Sequence, residues 1–238
     1  DVGHSYKGLC DMVNGYYFTY SETKPIKFNP FYIGEGDVLD TEKKESIKTL
    51  LLALWKKDNE TFNRSEYVAL SNALQLYFEK VEKQKNIFPC FNTFFEFLKE
   101  DFVEKLKGDN VKDKDFDVSN FLYVLRPYYK GGEFDYLLNA DENLDLLQQR
   151  FIVFELDNIK DHPILFPVVT IIIMEVFISK MRKLKGIRKM ILIEEAWKAI
   201  AKEGMAEYIK YLFKTVRKFF GEAIVVTQEV EDIISSPV

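Results

Sequence analysis

Met190-Ile191-Leu192-Ile193-Glu194-Glu195 sets four apolar residues directly before two adjacent carboxylates. A short apolar run with polar flanks predicts a strand buried on both faces, as in a parallel sheet. Downstream, Ala223-Ile224-Val225-Val226-Thr227-Gln228 repeats the pattern and closes on a neutral amide. In open α/β sheets ligands sit beyond the carboxyl ends of the strands, and Glu194, Glu195 and Gln228 all fall at such ends. One acid there can hold a hydrated magnesium ion while a second takes a proton from an attacking water. Adjacent strand residues point to opposite faces, so the two glutamates must divide those roles where the strand gives way to a turn. The amide of Gln228 can sense a terminal phosphate without adding negative charge. The pattern points to nucleotide hydrolysis. Its plainer alternative is that both acids solvate a strand end, or stabilise the next helix by about 0.3–1 kcal/mol.

Working outward, Phe151-Ile152-Val153-Phe154-Glu155-Leu156 reads as another strand, followed by helices over about 161–183 and 196–219. Strand–helix–strand–helix–strand predicts right-handed parallel crossovers. At the other end, Gly15 to Tyr20 predicts a strand, Ser21 to Pro25 a turn, and Ile26-Lys27-Phe28 a returning strand, together a β-hairpin. Residues 38–130 read as helices. Ile47, Leu50, Leu51, Leu54 and Trp55 recur at helical spacing, and Asn63-Arg64-Ser65-Glu66 starts a second helix. A third begins after Pro89-Cys90-Phe91-Asn92-Thr93, and a fourth spans Ser119 to Leu125.

At 47% hydrophobic and 15% aromatic, the 238 residues can bury a real core, which excludes disorder. A net charge of −5 gives no general pull on nucleic acid or anionic membrane. Two cysteines and two histidines exclude a disulfide framework and make neither a thiolate nor a histidine zinc site, so a reduced intracellular compartment is expected. The longest apolar stretch, Ile164 to Ile178, is interrupted by Pro167, Thr170 and Glu175. It is shorter than the roughly 20 residues of a membrane span and is read as a buried helix.

No stretch reads G-x-x-x-x-G-K-[ST], the loop whose backbone N–H groups cradle phosphates. Gly34-Glu35-Gly36-Asp37 is too acidic to replace it, and the chain is therefore expected to be a piece of a larger protein that binds ATP poorly on its own. Arg217-Lys218, near the end of a predicted helix, suits a helix C-terminus or an arginine offered to a neighbouring subunit's nucleotide. Arg126 is a second such arginine. The basic run Lys180, Arg182, Lys183, Lys185, Arg188 and Lys189 reads as a solvated helix end or a contact to nucleic-acid phosphates.

Several segments, in order along the chain, resemble the TraG-type ATPases of conjugative transposons, relatives of the traffic ATPases of type IV secretion. They are Asp1 to Tyr6, Pro25 to Phe31, Tyr129 to Phe134, Phe151 to Leu156, Ile193 to Trp197, Arg217 to Gly221 and Thr227-Gln228. The resemblance implies a RecA-like P-loop core in residues 1–37 and 131–238, lacking the phosphate loop, with an all-helical subdomain, 38–130, inserted between its strands. It further implies ATP and Mg2+ in the intact protein. Glu194 would be the magnesium-associated acid, Glu195 the catalytic base, Gln228 the γ-phosphate reporter and Arg217 a basic group near subunit contacts. A homo-hexamer on the cytoplasmic face of the inner membrane is expected, working with other conjugation-apparatus proteins and inner-membrane components, with DNA a candidate substrate. A DNA-translocating motor of related fold and a non-catalytic assembly module are the rival readings.

Overall fold

The computed structural model describes residues 6–21, 23–34, 38–56, 60–144, 146–194 and 205–227. The chain divides into two compact units, Asp1–Ile26 with Leu144–Val238, and Lys27–Asn143.

In the first unit a short helix, α1 (Lys7–Met12), leads to β1 (Tyr16–Thr19). The turn between them depends on two residues. Asn14 takes a left-handed φ of 52°. A Cβ on Gly15 would lie 2.7 Å from Cys10 Sγ and 2.8 Å from the Phe151 carbonyl oxygen, so only glycine lets the chain pass. β1 then pairs in parallel with β2 (Ile152–Glu155), Tyr16 opposite Ile152 and Thr19 opposite Glu155. The expected hairpin is thereby corrected. Ser21 and Lys24 form an isolated antiparallel bridge, but no strand follows over 26–28. Pro25 lacks the N–H that a returning ladder needs, and Ile26 is buried in a core instead.

From β2 the chain passes through α7 (Leu165–Lys183) to β3 (Lys189–Glu194), then α8 (Met205–Val216) to β4 (Gly221–Val226). β3 and β4 pair in parallel, Lys189 opposite Gly221 and Glu194 opposite Val226. Helix α7 is buried along most of its length, from Leu165 to Met181, and no described helix is long and apolar enough to cross a membrane. His162 caps it: the imidazole Nδ1 accepts from the Leu165 N–H at 3.0 Å, which gives this histidine a structural task.

The expectation that the strand ending at Glu194 is buried on both faces is not met. Burial along β3 alternates, with Ile191 and Ile193 half-buried and Met190 and Leu192 58% and 45% exposed. Parallel partners share a face, so Val226, 41% exposed, lies on the same open side. α8 packs against β4, and among the described residues no second layer covers Met190 and Leu192.

Glu175 of α7 is 4% exposed and accepts a hydrogen bond from the hydroxyl of fully buried Tyr208 on α8. A buried acid deprived of a donor bears much of its desolvation cost. Tyr208→Phe should therefore lower stability by about 1–3 kcal/mol, read as a lower denaturation midpoint. A smaller loss in Glu175→Gln, which keeps an acceptor without the charge, would accompany it; an unchanged Tyr208→Phe midpoint would remove this contact from the α7–α8 packing.

The second unit holds α2 (Thr41–Trp55), α3 (Arg64–Lys83), α4 (Phe91–Phe97), α5 (Val103–Gly108) and α6 (Val118–Val124). Leu98–Phe102 joins α4 to α5 as a π-helical stretch. The start of α3 is a capping box, Glu66 N–H to Asn63 Oδ1 at 2.8 Å and Asn63 N–H to Glu66 Oε2 at 2.9 Å. Its core is aromatic. Tyr77 meets Phe31 and Phe94 edge-on at 5.6 and 5.2 Å, and Trp55 meets Phe121 at 5.2 Å. The unit is larger than the 38–130 block because Asn29 and Asn143 bind each other's backbone. The Asn29 N–H donates to Asn143 Oδ1 at 2.7 Å and Asn143 Nδ2 donates to the Asn29 carbonyl at 2.9 Å. That reciprocal pair closes the unit where the chain comes in and leaves.

Candidate functional site

Parallel pairing of β3 and β4 brings the two apolar runs side by side with their carboxyl ends together. Glu194 is the last residue of β3 and is exposed. It faces Val226 in register, and Thr227 follows at the end of β4. Glu195 and Gln228, the other two residues expected at this edge, lie outside the described residues.

A side chain that sequence reasoning did not assign meets Glu194 here. The Tyr6 hydroxyl donates to Glu194 Oε1 at 2.5 Å. The hydrogen bond to Glu194, then partial burial, then the carboxylate's charge hold the Tyr6 phenol above its ordinary value, so the phenol keeps its proton and is the donor. Tyr6 belongs to the quoted segment Asp1 to Tyr6, but its partner is 188 residues away and no local pattern announces the contact.

Arg217 lies elsewhere. It opens a 3-10 turn, Arg217–Phe219, just before β4, and is exposed. Lys189, the first residue of β3, donates to the Phe219 carbonyl at 2.8 Å, so this turn sits at the amino end of the strand pair. At about 3.3 Å per residue, a strand the length of β3 separates that end from Glu194 by roughly 16 Å. Within one subunit Arg217 and Glu194 do not share a site. Gly221 is needed at this crowded end, since a Cβ would meet Met181 Sδ at 2.7 Å.

An exposed carboxylate at a strand end suits Mg2+, a hard cation that keeps several waters and uses one or two carboxylates beside substrate phosphates. No group of three His, Cys, Asp or Glu among the described residues is placed to hold a metal. Glu194 fits such an ion as one ligand or as acceptor for its waters. Much of the basic cluster is structurally engaged. Lys180 donates to the carbonyls of Leu146 and Gln149, Arg188 pairs with Glu222, and Lys189 holds Phe219. Grooves of about 300 and 640 Å³ run along α3, lined by residues such as Phe102 and Lys105; Glu194 lines neither.

The sequence matches the model of the TraG P-loop domain over residues 1–238. The chain belongs to the TraG P-loop domain family. Protein TraC of Escherichia coli (strain K12) is 22% identical over 240 residues, covering 99% of this chain and 26% of that protein. Among solved structures, VirB4 of Thermoanaerobacter pseudethanolicus superposes with a TM-score of 0.63 at 17% identity, over 97% of this chain and 61% of that one. The bacterial conjugative coupling protein TrwB gives a TM-score of 0.52 at 13% identity, over 96% and 60%. TrwB has been solved with the non-hydrolysable ATP analogue ADPNP and with ADP and Mg2+. The fold of this TraG-family chain is thus the RecA-like P-loop core with an all-helical unit inserted between its strands. The chain spans about a quarter of TraC and three-fifths of the VirB4 and TrwB chains.

Proposed function

We propose that this chain is the nucleotide-hydrolysing part of a conjugation or type IV secretion ATPase, using ATP with Mg2+ to power apparatus assembly or substrate transfer. The observation that carries the reading is Glu194, exposed at the carboxyl end of β3 beside β4 in a TraG-family fold. In it Glu194 holds or orients the hydrated magnesium, whose chemistry when bound is to neutralise charge on the phosphates. Glu195 takes the proton of the attacking water, and Gln228 reports the terminal phosphate. The phosphate cradle does not come from a G-x-x-x-x-G-K-[ST] stretch within these 238 residues.

Arg217, at the far end of the strand pair, is in this reading offered to a neighbouring subunit's nucleotide within a homo-hexamer. Membership of the family supports partners in the transfer apparatus and a place on the cytoplasmic face of the inner membrane. The rival reading, a DNA-translocating motor, would show DNA-stimulated hydrolysis that falls when the exposed Lys183 and Lys185 are neutralised.

The test is ATP turnover by the full-length natural protein across a magnesium titration. Wild type should depend on the ion, and Glu194→Ala should need about tenfold or more magnesium for half-maximal rate. Turnover with an unchanged magnesium requirement in Glu194→Ala would take Glu194 out of the metal site. No nucleotide dependence in any variant, with partner binding intact, would favour the assembly module.

A further inference from the structure

The residue that meets Glu194 is set in place by the opposite end of the chain. Tyr6 precedes α1, and its carbonyl accepts from the Cys10 N–H at 2.8 Å. Cys10 is fully buried and presses against Gly15, which leads straight into β1. The backbone around Tyr6 is therefore tied to the β1–β2 pair, while Glu194 ends β3. Their contact is a long-range one, Tyr6 hydroxyl to Glu194 Oε1 at 2.5 Å.

Glutamate carries one more side-chain torsion than aspartate, and an exposed glutamate pays rotamer freedom when its carboxylate is fixed. A neutral donor fixes the group without cancelling its charge. An ionised carboxylate has two oxygens and about four lone-pair sites, so one bond from Tyr6 leaves acceptor capacity for a cation or its waters. Lysine or arginine in the same place would compete with the cation for the charge; a phenol does not. Removing a group that orients a metal ligand by hydrogen bonding typically costs about 10- to 100-fold in metal affinity or activity.

We propose that Tyr6 is a positioning residue for the divalent cation, holding the Glu194 carboxylate in the orientation that receives it. The inference rests on the reading of Glu194 as the magnesium-associated acid. Tyr6 touches neither nucleotide nor reacting atoms in this scheme; it acts only through Glu194.

The experiment is equilibrium binding of ADP to the full-length natural protein, with magnesium and in EDTA, for wild type, Tyr6→Phe, Glu194→Gln and the double variant. Tyr6→Phe keeps the ring and removes one oxygen, and equal melting temperatures in EDTA would show that the fold is kept. Expected is a loss on the order of tenfold in Mg-ADP affinity for Tyr6→Phe, unchanged affinity in EDTA, and no added loss when Tyr6→Phe is placed on Glu194→Gln. Wild-type affinity in Tyr6→Phe beside a weakened Glu194→Gln overturns the inference alone. Equal loss with and without magnesium, or a lowered melting temperature, overturns it by making Tyr6 a structural residue. Unchanged magnesium dependence in Glu194→Gln removes the assignment of Glu194, and the inference with it.

Discussion

Glu195→Gln should lower magnesium-dependent ATP turnover by about 10²- to 10⁴-fold, the usual contribution of a positioned general base, while nucleotide affinity stays near the wild-type value. The substitution keeps the side chain's size and its capacity for hydrogen bonding, and removes only the ability to accept a proton. Glu194 and Glu195 are adjacent in sequence, yet the two variants should separate. Loss at Glu194 shows as a changed magnesium requirement that excess ion relieves. Loss at Glu195 shows at saturating magnesium and is not relieved. Turnover and ADPNP affinity, measured on the full-length natural protein, check both. Retained turnover in Glu195→Gln would assign the proton to another group, and weakened binding would make Glu195 a ligand-contacting residue instead of a base.

Much of the frame was legible because it is written locally. The apolar runs of β2, β3 and β4 announce strands, and the long helix between β3 and β4 announces their parallel pairing, as found, whereas among the described residues β2 pairs with β1 and not with β3. Asn63 and Glu66 announce a helix start and form the capping box. What failed were readings that turn on distant partners. β1 was matched to the nearest candidate strand, whereas its true partner, β2, follows only after the whole helical unit. The strand ending at Glu194 was expected to be covered on both faces, but strand apolarity reports the need for cover and not which described elements supply it. The π-helical stretch Leu98–Phe102 has no sequence signature, since its residues Leu98 and Phe102 keep a spacing that an α-helix also buries. Of the candidate site, the placement of Glu194 was legible from strand polarity, and so, in principle, was the separation of Arg217 from it. The Tyr6 contact was not, because a phenol 188 residues distant carries no pattern.

Asn29→Asp should be the most destabilising single-atom change in the helical unit, and the damage should grow with pH. Asn29 is fully buried. Its Nδ2 donates to the Pro89 carbonyl at 2.8 Å and the Ala140 carbonyl at 3.0 Å, while its Oδ1 accepts from the Phe31 N–H at 2.9 Å. Aspartate preserves the bond from Phe31 and sets an oxygen against the two carbonyl oxygens. Burial without a compensating cation raises the folded-state pKa of such an acid above its ordinary value of about 3.9. The folded state then binds more protons than the unfolded one, so stability falls as pH rises above the unfolded value. Relative to wild type at each pH, the deficit should be largest near neutrality, about 3 kcal/mol or more, and shrink towards pH 4. Asn29→Ala provides the control. It strands two carbonyls and one N–H, at about 1–3 kcal/mol for each buried group left unsatisfied, but adds nothing that titrates, so its deficit should not follow pH in this way. Denaturation midpoints at pH 5 and 7.5, with protease cleavage within residues 27–143 as a local readout, decide the matter. A wild-type midpoint for Asn29→Asp at neutral pH would mean that Pro89 and Ala140 find other donors. The Asn29-Pro30-Phe31 segment would then owe its place in the family resemblance to something other than this clamp.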